Sequence, residues 1–304
     1  PGYGKLSGID LEAGRPGERV QEDDYGKDDV RDFALWKGVK PGDEEVGAAW
    51  DMPWGKGRPG WHLECSAMAL SELGQTIDLH LGGEDLVFPH HEDEIAQSEG
   101  ATGLQFARCW LHVKHLHVEG KKMSKSAGNF ITVRELLDEG IFPAAIRHLL
   151  ISAQYRNDLN FTREGLEGST KAVRRLLDFE ERLSAHPVSS DAAPTSLPVL
   201  ADEAMASFTE AMDDDLNVSG AFGALFVLLN RTNTLLDGTP VIQPAERDRA
   251  RSVLISLDEV LGLIEVGRRE RVVDPDLRGW VEERIDARAR ARDERDWAAA
   301  DAIR

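Results

Sequence analysis

Near the middle of the chain stands the stretch Gly120-Lys121-Lys122-Met123-Ser124-Lys125-Ser126-Ala127-Gly128-Asn129. Its three lysines lie close together, and their ammonium groups repel one another unless an anion lies among them. Gly120 and Gly128 allow backbone bends that other residues adopt only with strain. Serine hydroxyls and backbone N–H groups would complete a cradle for phosphate oxygens. The stretch therefore predicts a polyphosphate-binding loop, although a lysine cluster by itself is equally typical of a solvated basic turn.

The composition is that of a globular protein with room for two or three domains. The chain has 304 residues, of which 41% are hydrophobic and 30% charged. No apolar run is long enough to span a bilayer, so we expect no membrane partner. The start of the chain has neither a signal region nor an initiator Met, so we expect a piece of a longer protein. Two cysteines, Cys65 and Cys109, cannot make a disulfide framework, which favours a reducing, cytoplasmic location.

The charge is strongly negative and unevenly distributed. A net charge of −19 argues against a protein that coats nucleic acid non-specifically. A focused basic patch on an acidic body remains compatible with it. Residues 268–304 hold as many arginines as acidic side chains, so this tail is the surface least repulsive to a phosphate backbone.

The segment from Trp61 to Asp85 reads as a helix, a strand and a turn. Residues 61–70 have a helical pattern, with Trp61 and Cys65 four apart on one face. Residues 77–81 alternate like a strand, with Ile77, Leu79 and Leu81 on one face. Ligands of open α/β sheets lie outside the carboxyl ends of strands, so His80 and Asp85 are candidate site residues. Both could instead only satisfy polar backbone in the turn.

A candidate metal site comes from the next helix, which we predict to start over residues 88–94. His90 and Glu94 are four residues apart, so both can reach one ion from the same helix face. The thiolate of Cys65 would supply a third ligand, and zinc accepts such a mixture of S, N and O. The alternative is an ordinary acid-rich helix start, because acidic residues favour the positive end of the helix dipole.

The second half of the sequence is mostly helical. Residues 109–118 predict one strand that runs into the lysine stretch, and Thr132 with Glu135 predicts a capping box. Helices are predicted over 144–153, 165–183, 200–236 with a break near 213–217, and 245–264, with a linker at 184–198. A stripe of Phe222, Leu225, Phe226 and Leu229 is typical of a bundle core. Asp274-Pro275 predicts the start of a last helix, and its arginines 284, 288, 292 and 295 share one face.

Several of these segments carry a family resemblance. Lys122-Met123-Ser124-Lys125-Ser126 is similar to the KMSKS signature of class I aminoacyl-tRNA synthetases, which clamps the phosphates of ATP. The chain as a whole resembles the cysteinyl-tRNA synthetases nearly from end to end. The resemblance rests on residues 3–8, 33–37, 57–68, 82–98, 122–130 and 292–304, of which 57–68 and 88–98 are the most specific.

The resemblance implies an α/β fold: the second half of a class I Rossmann-type catalytic domain, then a stem-contact region and an α-helical bundle. Residues 1–118 would be the catalytic part with a zinc site, and 119–160 the KMSKS loop with the stem-contact region. Residues 161–270 would form the helical bundle, and 271–304 the start of an anticodon-binding region.

The family's reaction is ATP-dependent activation of L-cysteine to cysteinyl-adenylate, followed by transfer to tRNA(Cys). By position, Cys65, His90 and Glu94 match the family's ligands of Zn²⁺. The cysteine and adenylate sites are matched by Trp61, His80, Gly82, Gly83 and Asp85. Lys122 and Lys125 match the catalytic lysines that bind the phosphates of ATP, which acts with Mg²⁺. The resemblance also implies a cytoplasmic monomer.

The sequence departs from the family pattern in ways that bear on function. The family's HIGH motif and first zinc-binding cysteine would precede Pro1, and its anticodon region would continue beyond Arg304, so the chain alone is expected to be inactive. Leu81 stands where the family usually has a glycine.

Two alternatives remain open from sequence. One is the cysteine ligase of mycothiol biosynthesis, which forms the same adenylate but uses an amino-sugar acceptor. The long helical region and residues 292–304 favour the tRNA enzyme over it. The other is a non-catalytic fragment that binds only zinc or tRNA, and retention of the lysines and the predicted metal ligands together argues against it.

Overall fold

The computed structural model describes residues 2–8, 32–123, 128–270, 275–293 and 296. The chain forms two compact units, of which one is Pro1–His115 with Tyr155–Asp158 and the other is Leu116–Gln154 with Leu159–Arg304. This division is coarser than the four predicted regions, whose boundaries remain predictions.

The first unit is built around a parallel strand pair with a crossover helix. Strand β3 (Ile77–Gly83) pairs in parallel with β4 (Ala107–Val113), and α2 (Glu92–Thr102) connects them. Before β3 in the chain, α1 (Trp61–Glu72) packs against α2. A parallel pair requires such a crossover because its strands run in the same direction. The predicted helix over 61–70, the strand over 77–81 and the α/β fold class are confirmed.

A small hairpin precedes α1. Strand β1 (Trp36–Gly38) pairs antiparallel with β2 (Gly57–Pro59), with Trp36 opposite Pro59. A side chain at Gly57 would lie 2.3 Å from the carbonyl oxygen of Lys37, so only glycine permits this close pairing.

Each face of β3 is only partly buried. Ile77 is buried, but Leu79 and Leu81, which share its face, are 48% and 57% exposed among the described residues. His80 points to the other side, where its ring lies 4.5 Å from that of Trp110 and its Nε2 contacts Glu94 on α2. The strand therefore turns its predicted site residue toward the crossover helix.

The next helix begins within the predicted start region, residues 88–94, but only at Glu92, so Pro89 lies ahead of it and not in its first turn. A short 3-10 turn covers Glu84–Leu86, and a wider turn over Val87–His91 contains Phe88 with extended backbone angles of φ −140° and ψ 131°. Because an extended residue cannot lie inside an α-helix, α2 begins only at Glu92. The prediction of one strand over 109–118 is wrong, because β4 ends at Val113 and β5 (Leu116–Val118) belongs to the second unit.

The second unit begins with a three-stranded sheet. Strand β5 pairs antiparallel with β6 (Lys121–Lys122) and in parallel with β7 (Leu159–Phe161). Next come α3 (Val133–Asp138) and α4 (Pro143–Ile151). Thr132 forms the predicted capping box with Glu135 at the start of α3. A local core joins the sheet to these helices through Val118, Leu136, Ala145, Ile146, Leu149, Phe161 and Leu166.

A helical bundle forms the rest of this unit. Its helices are α5 (Arg163–Ala185), α6 (Leu197–Asp213), α7 (Val218–Gly238), α8 (Pro244–Leu261), α9 (Leu263–Glu270) and α10 (Pro275–Asp293). The predicted break falls between α6 and α7, where Asp215 and Leu216 have left-handed φ values of 52° and 56°. The predicted stripe on α7 lies in or against the bundle core. Of the helices within the described ranges, none combines the length and apolarity needed to cross a bilayer.

Candidate functional site

The candidate site lies in the first unit, where α1, β3 and the start of α2 come together. Cys65 follows Trp61 by about one turn of α1, and His80 lies on β3. His90 belongs to the turn before α2, and Glu94 to the first turn of α2 itself. Residues far apart in sequence therefore contribute to one cluster.

Cys65, His90 and Glu94 lie as the metal-site hypothesis requires. One ligand atom from each lies within 4.8 Å of the others. His90 Nε2 is 3.4 Å from Glu94 Oε1, which is longer than an ordinary hydrogen bond. The Glu94 side chain is 0% exposed, and its Oε1 has no hydrogen-bond partner within the described part of the chain. A buried carboxylate oxygen of this kind is costly unless a cation or donor satisfies it, so the residues fit a zinc ion.

The electrostatics of the three groups also suit a cation. Burial raises the pKa of the Cys65 thiol, and the Glu94 carboxylate beside it raises the pKa further. Burial would also raise the pKa of Glu94, but His80 and His90 together lower that pKa to about 2. At neutral pH the carboxylate is therefore ionised while the thiol keeps its proton. A metal ion that bound here would lower the pKa of the Cys65 thiol and release its proton.

His80 lies beside this cluster and contacts it through Glu94. Its Nε2 is 2.7 Å from Glu94 Oε2, the oxygen that faces away from His90. His80, His91 and Glu94 form a second group whose ligand atoms lie within 4.8 Å of one another. In this second group, His80 already donates a hydrogen bond to Glu94 Oε2. A metal ion is therefore less needed there than beside the unsatisfied Oε1.

A pair of neutral histidines supports the carboxyl end of β3. His91 Nδ1 lies 2.8 Å from His112 Nε2. Desolvation lowers the pKa of His91 to about 4 despite the attraction of Glu94, and desolvation also lowers the pKa of His112. A side chain at Gly82 would come within 2.4 Å of the His91 ring, so Gly82 leaves the space that this ring occupies. This histidine pair was not foreseen as part of the site.

The predicted adenylate turn and cysteine pocket border the cluster. A side chain at Gly83 would meet Asp85 Oδ1 at 2.4 Å, and Asp85 itself is exposed in the turn after β3. The ring of Trp61 lies 4.4 Å from that of His90 and is 45% exposed, so it forms the outer wall of the cluster. Gly82, Gly83 and Asp85 thus lie at the strand end, and Trp61 and His80 beside the metal ligands.

The lysine stretch belongs to the second unit. Gly120 and Gly128 have φ values of 78° and 65°, as their predicted bends require. The Asn129 amide donates to the carbonyl of Lys122 at 3.2 Å, which holds the two sides of the loop together. Lys122 is exposed on β6, whereas Lys125 lies outside the described residues.

Sequence reasoning missed two further buried residues, His62 and Asp93. His62 is 3% exposed and Asp93 0%; His62 contacts the predicted ligand His90, and Asp93 contacts His62. Helical spacing offered a signal, since His62 precedes Cys65 by three residues and Asp93 follows His90 by three. The contact between them depends on the packing of α1 against α2, which no local pattern encodes.

The chain matches two known protein-family models. Residues 1–171 match the model of the class I (C) tRNA synthetase catalytic domain. The chain belongs to this class I tRNA synthetase family. All the predicted site residues lie inside the matched range, and residues 207–265 match a second model, the DALR domain.

Relatives of this class I synthetase chain carry one common name. This chain is 42% identical over 308 residues to "Cysteine--tRNA ligase" of Protochlamydia amoebophila, and the alignment covers 100% of this chain and 62% of that protein. It is 42% identical over 305 residues to the protein of the same name from Solibacter usitatus, covering 100% of this chain and 63% of the relative. The chain thus spans somewhat less than two thirds of the curated relatives it matches.

A solved structure supports the synthetase fold. A LeuRS from Agrobacterium radiobacter K84, crystallised in a ternary complex with tRNA and LeuAMS, aligns with a TM-score of 0.51. The alignment covers 75% of this chain and 34% of that chain at 14% identity. At this identity the likeness concerns the fold alone.

Proposed function

We propose that this class I synthetase chain is part of a cysteine–tRNA ligase, which activates L-cysteine with ATP and transfers it to tRNA(Cys). The observation that carries the proposal is the cluster of half-buried Cys65 with buried His90 and Glu94 beside the carboxyl end of β3. A site with a thiol, an imidazole and an unsatisfied carboxylate suits a thiophilic metal that can distinguish a substrate thiol from a hydroxyl. The shared name of the relatives supports the same activity.

In the proposed site, Zn²⁺ would be held by Cys65, His90 and Glu94. When bound, it would supply a soft ligand position for the sulfur of cysteine. The surrounding side chains serve to orient the substrate, with Trp61 closing the outer side of the cluster and His80 hydrogen-bonded to Glu94. Because an apolar pocket separates near-isosteres only weakly, the donor set accounts for the choice of cysteine over serine better than shape alone does.

Activation itself calls for positioning and charge neutralisation. The carboxylate oxygen of cysteine attacks the α-phosphorus of ATP, the bond to the bridging oxygen breaks, and pyrophosphate leaves with its Mg²⁺. We propose that Gly82, Gly83 and Asp85 at the end of β3 bind the adenylate. Lys122 and Lys125 would neutralise the departing phosphates as negative charge builds up on them. In the second step a ribose hydroxyl of the tRNA 3′ end attacks the cysteinyl carbonyl, and AMP leaves.

The finer assignments are proposals too. We propose that 119–160 holds the KMSKS loop and stem-contact region, 161–270 the helical bundle and 271–304 the start of an anticodon-binding region. Residues 1–118 would be the catalytic part. We propose a cytoplasmic location, because both cysteines are free thiols. We also propose that the protein is a monomer.

Pyrophosphate exchange by the full-length protein tests the activation step. We expect exchange to depend on cysteine and to exceed that with serine by more than the roughly 10–200-fold that packing alone can supply. Equal exchange with both amino acids would contradict a thiol-selecting site. Exchange with neither would contradict the assignment as a cysteine-activating enzyme.

A further inference from the structure

A chain of hydrogen-bonding groups leads from α2 back to the predicted metal ligand His90. His62 Nδ1 lies within hydrogen-bond distance of His90 Nδ1, at 2.7 Å, and the other ring nitrogen of His62, Nε2, makes an ion-pair contact of 3.2 Å with Asp93 Oδ2 that lacks hydrogen-bond geometry. All three side chains are buried, with His62 at 3% exposed and Asp93 at 0%. Neither His62 nor Asp93 belongs to the metal-ligand group, so their contribution must pass through His90.

We assign the positions of the protons from the two ends of this chain. An ionised carboxylate only accepts hydrogen bonds, so His62 Nε2 carries the proton toward Asp93. When His62 is neutral, its lone pair is on Nδ1, which accepts from His90 Nδ1–H. His90 Nε2 is left with its lone pair, and it faces the unsatisfied Glu94 Oε1 at 3.4 Å. In this tautomer the two electron-rich atoms face each other without a shared proton, an arrangement that suits a cation between them.

We propose that Asp93 and His62 act as positioning residues that hold His90 in the one tautomer able to bind a metal through Nε2. The inference rests on the metal site of the proposed function. It extends that site by a relay that raises metal affinity without touching the ion. Partners of this kind fix both the tautomer and the orientation of a ligating histidine.

The relay is anchored at its far end by the segment 2–8. The Tyr3 hydroxyl donates a hydrogen bond to Asp93 Oδ1, the oxygen that His62 does not use. The neighbouring Glu92 carboxylate accepts backbone N–H bonds from Gly4 at 2.9 Å and Ser7 at 2.7 Å. These contacts fix the segment against the start of α2, so the Asp93 carboxylate has little freedom to turn away from His62.

Paired substitutions separate the relay from simple packing. His62→Phe keeps a ring but removes both contacts, and His62→Gln keeps only a donor near the Nε2 position. His62→Asn keeps an amide oxygen near the Nδ1 position, where it can accept from His90. Asp93→Leu removes the acceptor, whereas Asp93→Asn keeps one oxygen for His62 while its amide donates to the rotatable Tyr3 hydroxyl.

The measurement is zinc affinity of the full-length protein in competition with a chromophoric chelator, together with the visible spectrum of the Co²⁺-substituted protein. We expect His62→Phe, His62→Gln and Asp93→Leu to weaken affinity by about 10–100-fold and to alter the cobalt bands. His62→Asn and Asp93→Asn should retain most of the affinity and the native spectrum. Circular dichroism reports whether each variant is folded. If His62→Phe is unfolded, the comparison of Asp93→Leu with Asp93→Asn tests the relay in its place.

The outcomes distinguish the relay from the site on which it rests. If the unmodified protein binds no zinc, the metal site and the relay both fail. If it binds zinc and Cys65→Ser abolishes binding, while folded His62→Phe and Asp93→Leu keep full affinity, the relay alone is wrong. Equal losses in Asp93→Leu and Asp93→Asn would also overturn it, because the retained oxygen would then have no effect.

Discussion

Glu94 is the residue on which the other groups of the site converge. Its Oε2 takes a hydrogen bond from His80 at 2.7 Å, while its Oε1 faces His90 and remains unsatisfied. One carboxylate thus orients a predicted substrate-binding histidine and contributes to the proposed metal site. Since His80 and His90 hold its pKa at about 2, it stays ionised across the physiological range.

The lysine loop carries the sharpest prediction for a single residue. We expect Lys125→Ala to slow cysteine-dependent pyrophosphate exchange by about 10²–10³, the scale of losing one charge contact made in the transition state. The apparent affinity for cysteine should barely change, because Lys125 is assigned to the phosphates. Lys121→Ala is the matched control, since it removes a neighbouring exposed lysine that the family resemblance does not match to a phosphate-binding lysine.

Steady-state exchange at saturating cysteine reports the effect. Unchanged exchange in Lys125→Ala would show that the loop is a solvated basic turn. Equal losses in Lys125→Ala and Lys121→Ala would indicate a diffuse charge effect in place of a specific contact.

Among the secondary-structure elements, those with local signals were predicted well. The Thr132–Glu135 capping box, the break between α6 and α7, and the apolar stripe of α7 are all encoded within a few residues of sequence. The i,i+4 pair of His90 and Glu94 comes together as expected, although His90 lies in the turn before α2 and only Glu94 in the helix itself.

Elements that depend on distant partners were not predictable in this way. The strand predicted over residues 109–118 is interrupted because the backbone N–H of Lys114 donates to the carbonyl of Tyr155, and β5 then pairs with β7. Similarly, the contact between His62 and His90 spans 28 residues and exists only because α1 packs against α2. A local pattern has no information about such pairings.

Helix α3, which follows the lysine loop, gives a prediction at this scale. Thr132 Oγ1 accepts from the Glu135 N–H at 3.1 Å, and Glu135 Oε2 accepts from the Thr132 N–H at 2.7 Å. Replacing such a cap by alanine costs about 1 kcal/mol, so Thr132→Ala should speed amide exchange in α3 roughly fivefold. Thr132→Ser retains the hydroxyl and should exchange like the unmodified protein.

Hydrogen exchange followed by mass spectrometry over residues 133–140 makes this comparison. Exchange that is equally fast in Thr132→Ala and Thr132→Ser would indicate that the methyl group, and not the cap, stabilises the helix. No change in either variant would show that packing of Leu136 alone holds α3 in place.

At the scale of the whole molecule, charge and helix content bear on the acceptor. The chain has a net charge of −19, so contact with a polynucleotide must be confined to particular surfaces. The last described helix, α10, carries arginines on one face, and the Arg284 guanidinium lies 4.8 Å from the ring centre of Trp280. In the proposed function, the size of this helical region favours tRNA over a small acceptor.

The most direct test of the proposed function is transfer of labelled cysteine from the adenylate to an acceptor by the full-length protein. With ATP and Mg²⁺ present, we predict that label enters tRNA(Cys) as an alkali-labile ester and that an amino-sugar acceptor is left unchanged. If tRNA accepts no label while the amino sugar is consumed, the proposed function is wrong and the protein is a small-molecule cysteine ligase.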